Sequence, residues 1–474
     1  MKEFLTPYKK RIIIFILAVL ILTAILDKQL AAGFLLVVFL CLITFLIISK
    51  LGIKDKNLYI VFFIAFLIHL VAVFFIYYTG FRPFGGGADY EMYNQTGIEI
   101  SQRFGQGNFS LEGLHISHLF PILIGFIYLF FFPGMLVGQM FSVWLASLSV
   151  LFVYLLSLEI NTSKRSALLI SLITCFYPSY VYFGSLLLKD SLVIPLTLFS
   201  FLLIIKIIKE FSLKLFGLFF IVLTFLIHLR FYIGYPILFV FILCWFLISS
   251  LNLKKRVIYG LIFVIILGFS PQISGYGYYG LNSIIHYFNK DVITVYREET
   301  YIVTPLETSV ALEATESTQK DAELIKPVKD KLSKEFAQEF REDSGESFAI
   351  NSSFQTKTDF SKLSNFVIEY AKSFIYTLLG PLPWQIKNFR QSFSLFETIP
   401  WYLLIFVFLF SFVKSFKQQG LAVFKKYKLA LPLLIFALLG LGVISLFITN
   451  FGTILRVRIT SLIAILSLMS LEKT

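Results

Sequence analysis

Charge is scarce in this sequence. Of its 474 residues only 15% are Asp, Glu, Lys or Arg, whereas a soluble globular domain carries about 25%. Cysteine is scarcer still. Cys41, Cys175 and Cys244 all lie inside apolar runs, which excludes a disulfide framework and offers no metal-ligand spacing. Acids are the rarer sign, with 28 Asp and Glu against 41 Lys and Arg, a formal net charge of +13. That excess does not point to nucleic acid, because it sits in short connections between apolar runs, where basic residues orient helices. Apolar side chains fill the rest: 58% of the chain is hydrophobic, 18% is aromatic, and the mean hydropathy is +0.83. Apolar runs of about 18 residues or more recur, the length a helix needs to cross a hydrocarbon core of roughly 30 Å. An all-α polytopic membrane protein is expected.

Candidate spans are 12–27, 31–49, 58–78, 138–158, 166–183, 191–209, 213–229, 231–250, 257–271, 397–413, 429–449 and 455–471. Basic clusters mark the cytoplasmic side: Lys9/Lys10/Arg11, Lys50/Lys54/Lys56, Lys164/Arg165, Lys206/Lys209/Lys214, Lys254/Lys255/Arg256 and Lys414/Lys417/Lys425/Lys426/Lys428. The stretches 119–133 and 366–384 are apolar enough to span, but counting them as crossings inverts the later clusters. Treated as outer-face juxtamembrane helices, they satisfy every cluster. The result is about twelve transmembrane helices in the cell (inner) membrane with both termini cytoplasmic, the run 12–26 being read as a retained signal anchor. Three regions follow. Residues 1–271 form an N-terminal transmembrane module with an external loop at 79–137. Residues 272–396 are external, with a charged insertion at 297–362 and the interfacial helix 366–384. Residues 397–474 supply C-terminal transmembrane helices.

Ionisable residues at membrane depth cost about 2.5–3.5 kcal/mol each on insertion scales, so the few that occur are informative. The external loop contains "GGGADYEMYNQTGIEISQRF", in which Asp89, Tyr93, Gly97, Ile100 and Phe104 share one helical face. Asp89 heads that helix, either as an N-cap or as a functional acid. Lys189 and Asp190 interrupt "YVYFGSLLLKDSLVIPL" between two spans, as a loop-tip pair or as site residues. Arg230 in "LIHLRFYIGYP" falls on the side opposite the basic clusters, where it needs an anionic partner or a snorkelling route to head groups. Arg456 and Arg458 in "FGTILRVRITSL" alternate, so one is expected to face the protein and the other the lipid interface. His115 and His118 are three apart; a divalent metal stays open, but hydrogen-bonding roles are preferred. Two carboxylates and several cations above a hydrophobic bundle suit sugar transfer from a lipid carrier. A carboxylate can deprotonate a hydroxyl, and the cations can stabilise the charge building on a leaving phosphate.

At these residues the chain resembles the GT-C superfamily of membrane glycosyltransferases that use polyprenyl-phosphate sugars. Within it, the chain is similar to bacterial members related to protein O-mannosyltransferases and lipid A aminoarabinose transferases. The resemblance runs through "GADYEMY" opening a juxtamembrane helix, "HISHLFPILIGFIYLFF", "TSKRSALLISLI", "LLLKDSL" and the late "RVR", covering about 58–250 and, thinly, 366–471. It implies a GT-C-like fold with its active site on the outer face. Asp89 becomes the general base or acceptor-side acid, and Asp190 a second acid positioning substrate or metal. Lys189, Arg230, Arg456 and Arg458 become candidates for the lipid phosphate, with Tyr93 and His118 as further substrate-binding candidates. The implied partners are a polyprenyl-phosphate-linked sugar donor and a glycan, lipid or protein acceptor. More than one span precedes the Asp89 helix, whereas members of that family usually place the catalytic loop after the first, and "GPLPWQIKN" has no counterpart in it. The alternatives are an O-antigen or capsule-type polysaccharide polymerase and a non-catalytic transporter of lipid-linked glycans.

Overall fold

A computed structural model describes residues 27–81, 87–160 except 115 and 117, 162–268, 293, 363–386, 392, 394–420, 427–448 and 451–469. The expected span 12–27, the cluster Lys9/Lys10/Arg11, His115, Lys425, Lys426 and the insertion 297–362 lie outside the described residues. Of those described, 84% are helical and none is in a strand. The helices are α1 (Lys28–Lys50), α2 (Lys56–Thr79), α3 (Gly87–Gly105), α4 (Leu119–Phe130), α5 (Met135–Glu159), α6 (Lys164–Cys175), α7 (Pro178–Gly184) and α8 (Lys189–Lys209). They continue as α9 (Leu213–Leu229), α10 (Phe231–Ile248), α11 (Leu253–Gly268), α12 (Leu363–Leu379), α13 (Leu395–Gln419), α14 (Leu431–Phe447), α15 (Phe451–Val457) and α16 (Ile459–Met469).

Six of these segments are long and apolar enough to cross a membrane: α1, α2, α5, α8, α10, and α14 with the turn before it. The protein is thus a helical membrane protein. A seventh crossing arises if α6 and α7, bent by 63°, count as one. The expected span 166–183 is this broken pair, since Pro178 disfavours helix at the residue before it and removes an amide donor. The expected span 455–471 is likewise two helices, α15 and α16, parted at Arg458. Helix α4 has 12 residues and rises about 18 Å, too little for a crossing.

Contacts divide the chain into two units. The first comprises residues up to Phe81, Tyr90–Leu151 and Val181–Pro195. Asp27 and Asp55 cap α1 and α2 by accepting from Gln29 N–H (2.7 Å) and Asn57 N–H (3.1 Å). One side of each helix is fully apolar and exposed, including Phe39, Leu42 and Leu46 on α1 and Phe63, Leu67 and Val71 on α2. Such a surface suits lipid. Val37, Val73, Leu136, Met140 and Val143 form the core between α1, α2 and α5. Serines there close back on their own helix: Ser147 and Ser149 donate to the carbonyls of Val143 (2.8 Å) and Leu145 (3.0 Å).

In the same unit the expected face of α3 is the buried one. Tyr93, Ile100 and Phe104 are all buried, and they pack on α4. Tyr93 meets Phe120 and Phe104 meets Phe126, with ring centroids 5.3 and 5.2 Å apart. Glycines set the approach: a Cβ on Gly97 would stand 2.7 Å from Ile124, and one on Gly125 would overlap Ile100. Overpacking of this kind costs about 1–3 kcal/mol. Gly125→Val is therefore expected to lower the thermal unfolding midpoint in detergent by several degrees, whereas Gln102→Ala, on the exposed side of α3, is expected to leave it unchanged.

The second unit holds Arg82–Asp89, Phe152–Tyr180 and Leu196–Thr474. Helices α9 and α10 form a hairpin that packs on α14, which also touches α12 and α16, and α16 reaches α6. The lysine-rich helix ends gather together. Lys209 donates to a carboxylate oxygen of Glu159 at 2.7 Å, and Ser250 N–H donates to Ile208 C=O at 3.1 Å. Arg256 caps α10 by donating to the carbonyls of Phe246 (2.6 Å) and Leu251 (2.7 Å), and also to that of Ser249. Arg230, at the other end of α10, is therefore about 27 Å from this lysine-rich end.

Candidate functional site

The polar end of the second unit is built around the RVR sequence. Arg456 ends α15 and Arg458 occupies the turn before α16, so alternate spacing directs the two guanidiniums differently. Each finds its own carboxylate. Arg456 Nη1 lies 2.5 Å from Asp89 Oδ2, and both side chains are nearly enclosed. Arg458 Nη2 lies 3.1 Å from Glu397 Oε1, and both of those side chains are 0% exposed. The expectation that one arginine faces lipid gives way, because a counter-charge inside the protein compensates each guanidinium more completely than a distant head group does.

The Glu397 pair also satisfies buried helix ends. Tyr177 O–H donates to Glu397 Oε1 at 2.7 Å, and Ser179 N–H, in the first turn of α7, donates to Oε2 at 2.9 Å. Thus the break in the α6–α7 pair is closed by a carboxylate. On the other side, Arg458 donates to the carbonyls of Thr377 (3.3 Å) and Gly380 at the C-terminus of α12. Trp401 and Tyr402 of α13 donate to the next two carbonyls, those of Leu378 (3.1 Å) and Leu379 (2.6 Å). The cation sits at a helix C-terminus and the anion at a helix N-terminus, as the helix dipoles favour.

Arg230 belongs to the same end of this unit. It lies at the α9–α10 junction, buried, and donates to the Tyr232 hydroxyl. Phe231 packs edge-on against Phe447 at the end of α14, centroids 5.8 Å apart, shortly before α15 begins. Glu397 stands 20 positions, about 30 Å, before the exposed Lys417 on α13. The lysines that end α8 and α13 therefore lie at the opposite end of the unit from the paired arginines, whereas Lys372 of α12, paired with Glu369 at 2.8 Å, is about 10 Å from the helix end that Arg458 caps.

The remaining candidates fall in the first unit. Tyr93 O–H and His118 Nε2 are 3.1 Å apart, and His118 Nδ1 accepts from Phe120 N–H at 3.3 Å as the cap of α4. The Nδ1 acceptor fixes the proton on Nε2, so His118 donates to the Tyr93 oxygen. Lys189 and Asp190 form the first turn of α8, with Asp190 buried. Among the candidates, the structure joins Asp89 to Arg456 and Tyr93 to His118. Among the described residues no group of three or more His, Cys, Asp or Glu is placed to hold a metal ion.

Sequence reasoning passed over Glu397 and Tyr177. Glu397 had been absorbed as the first residue of a span, although a carboxylate heading an apolar run signals a buried partner. No family model matches the chain, and a search of curated proteins returns no significant match.

Removing one partner of a fully buried ion pair costs about 3–5 kcal/mol, while replacing both with apolar groups can be neutral. Arg458→Met is accordingly expected to lower the unfolding midpoint sharply, and adding Glu397→Leu to restore a large part of the loss. If the double variant is worse than the single one, the pair is not the main interaction of these two residues.

Proposed function

We propose that the chain is an integral-membrane glycosyltransferase that moves a sugar from a polyprenyl-phosphate carrier to an extracytoplasmic glycan, lipid or protein acceptor in cell-envelope polysaccharide assembly. The observation that carries this reading is the buried Asp89–Arg456 pair, at the end of the second unit opposite the lysines that end α8 and α13. In this reading the pair supplies a base and a phosphate ligand side by side. By the positive-inside rule the lysine-rich end is cytoplasmic, which puts the pair at the outer face of the inner membrane, within about twelve spans.

In the proposed reaction Asp89 takes the proton of an acceptor hydroxyl. The acceptor oxygen attacks the anomeric carbon, and the bond to the phosphate oxygen breaks with inversion. The electron pair leaves with the phosphate, whose charge Arg456 and Arg230 stabilise. Arg458, already engaged by Glu397 and the α12 carbonyls, holds the RVR turn in place rather than meeting the lipid. Asp190, Lys189, Tyr93 and His118 lie in the first unit and are given no part in this step. Three buried arginines in one unit also suit a polymerase acting on lipid diphosphates, and comparing monophosphate with diphosphate carriers separates the two readings.

Purified protein in nanodiscs, given a polyprenyl-phosphate sugar and candidate acceptors, should release polyprenyl phosphate together with glycosylated acceptor. Loss of a general base costs about 100-fold or more in turnover, and Asp89→Asn is expected to show at least that fall. Undiminished turnover by this variant would remove Asp89 from the chemistry.

A further inference from the structure

A base clamped to a guanidinium is not ready to take a proton. Asp89 Oδ2 stands 2.5 Å from Arg456 Nη1. The planar donor fork of an arginine accepts carboxylate and phosphate oxygens in the same way. The carboxylate therefore occupies the place a phosphate would take. We propose that Asp89 is the resident occupant of a phosphate site on Arg456, so that a phosphate-bearing ligand frees the carboxylate by displacing it. This rests on the functional reading above and adds an order of events: donor phosphate binds first, and only then is the base available to an acceptor. While the pair is closed the base is withheld, so none is available when there is no donor to attack. Once displaced, a carboxylate that has lost its guanidinium in a poorly hydrated site is a better base than it was in the pair.

The energetic signature is competition within the protein. When only a fraction of molecules has the site open, the apparent dissociation constant rises by the inverse of that fraction. Removing the competitor should therefore tighten phosphate binding, even though it abolishes the chemistry. The test uses the full chain in nanodiscs with a long-chain isoprenyl monophosphate as probe. The isoprenol of the same length, inorganic phosphate, and nanodiscs containing phosphatidylglycerol serve as comparison arms.

Asp89→Asn is expected to bind the isoprenyl monophosphate about tenfold or more tightly than the parent protein, and Arg456→Gln to bind it least, with isoprenol bound by none. Tightening for the isoprenyl ester alone assigns a lipid-borne phosphate; tightening for inorganic phosphate as well assigns the head group alone; either supports the exchange. Unchanged or weaker binding by Asp89→Asn overturns it, as does tightening confined to phosphatidylglycerol. Should Asp89→Asn fail to fold, the parent protein still decides. Hydrophobic carbodiimide labelling of Asp89 should rise several-fold when the monophosphate binds, and constant or reduced labelling overturns the exchange. Neither readout involves sugar. Tightened binding by Asp89→Asn with no transfer by the parent protein would leave the exchange standing and remove the transferase reading, and transfer by the parent with unaltered binding by the variant would do the reverse.

Discussion

An arginine inside a helical membrane protein must be met by negative charge, and this chain meets the requirement twice within three residues. Arg456 and Arg458 flank a single valine, and each is held by a different carboxylate from a distant part of the sequence, Asp89 and Glu397. Without these partners the late RVR sequence would have to reach water or head groups, and the chain between α15 and α16 would have no reason to turn where it does. The need to neutralise two guanidiniums draws together the head of α3, the head of α13, the end of α12 and the break between α6 and α7.

The two pairs do different work. Glu397 and Arg458 are completely enclosed, and further hydrogen bonds tie them to the Tyr177 hydroxyl and the amide of Ser179 on one side and to the carbonyls of Thr377 and Gly380 on the other. That arrangement is structural, and it allows a broken helix and an exposed helix end to persist in apolar surroundings. Asp89 and Arg456 retain slight exposure. The Arg458 pair fixes the turn that carries Arg456, two residues away.

Much of the architecture was legible in the sequence because hydrophobic run length is a strong signal. Helix α9 occupies the expected 213–229, and the period of Asp89, Tyr93, Gly97, Ile100 and Phe104 identified the packed face of α3. Illegible features depended on partners far along the chain. Glu397 and Arg458 are 61 residues apart and Tyr177 and Glu397 are 220 apart, so neither contact leaves a local pattern. Pro178 was a visible reason to break the run 166–183, yet the apolar residues around it outweighed it. Arg256 counted as one charge in a cytoplasmic cluster, but its geometry shows a cap on α10 that charge counting cannot reveal.

The account stands or falls on whether Asp89 and Arg456 are energetically coupled. A double-mutant cycle with Asp89→Asn, Arg456→Gln and the combined variant, read as unfolding free energy in detergent, measures that coupling directly. Contacting charged residues give interaction energies of about 0.5–3 kcal/mol, and this pair is expected in the upper half of that range. Strictly additive losses would contradict the ion pair, and with it the site built around it.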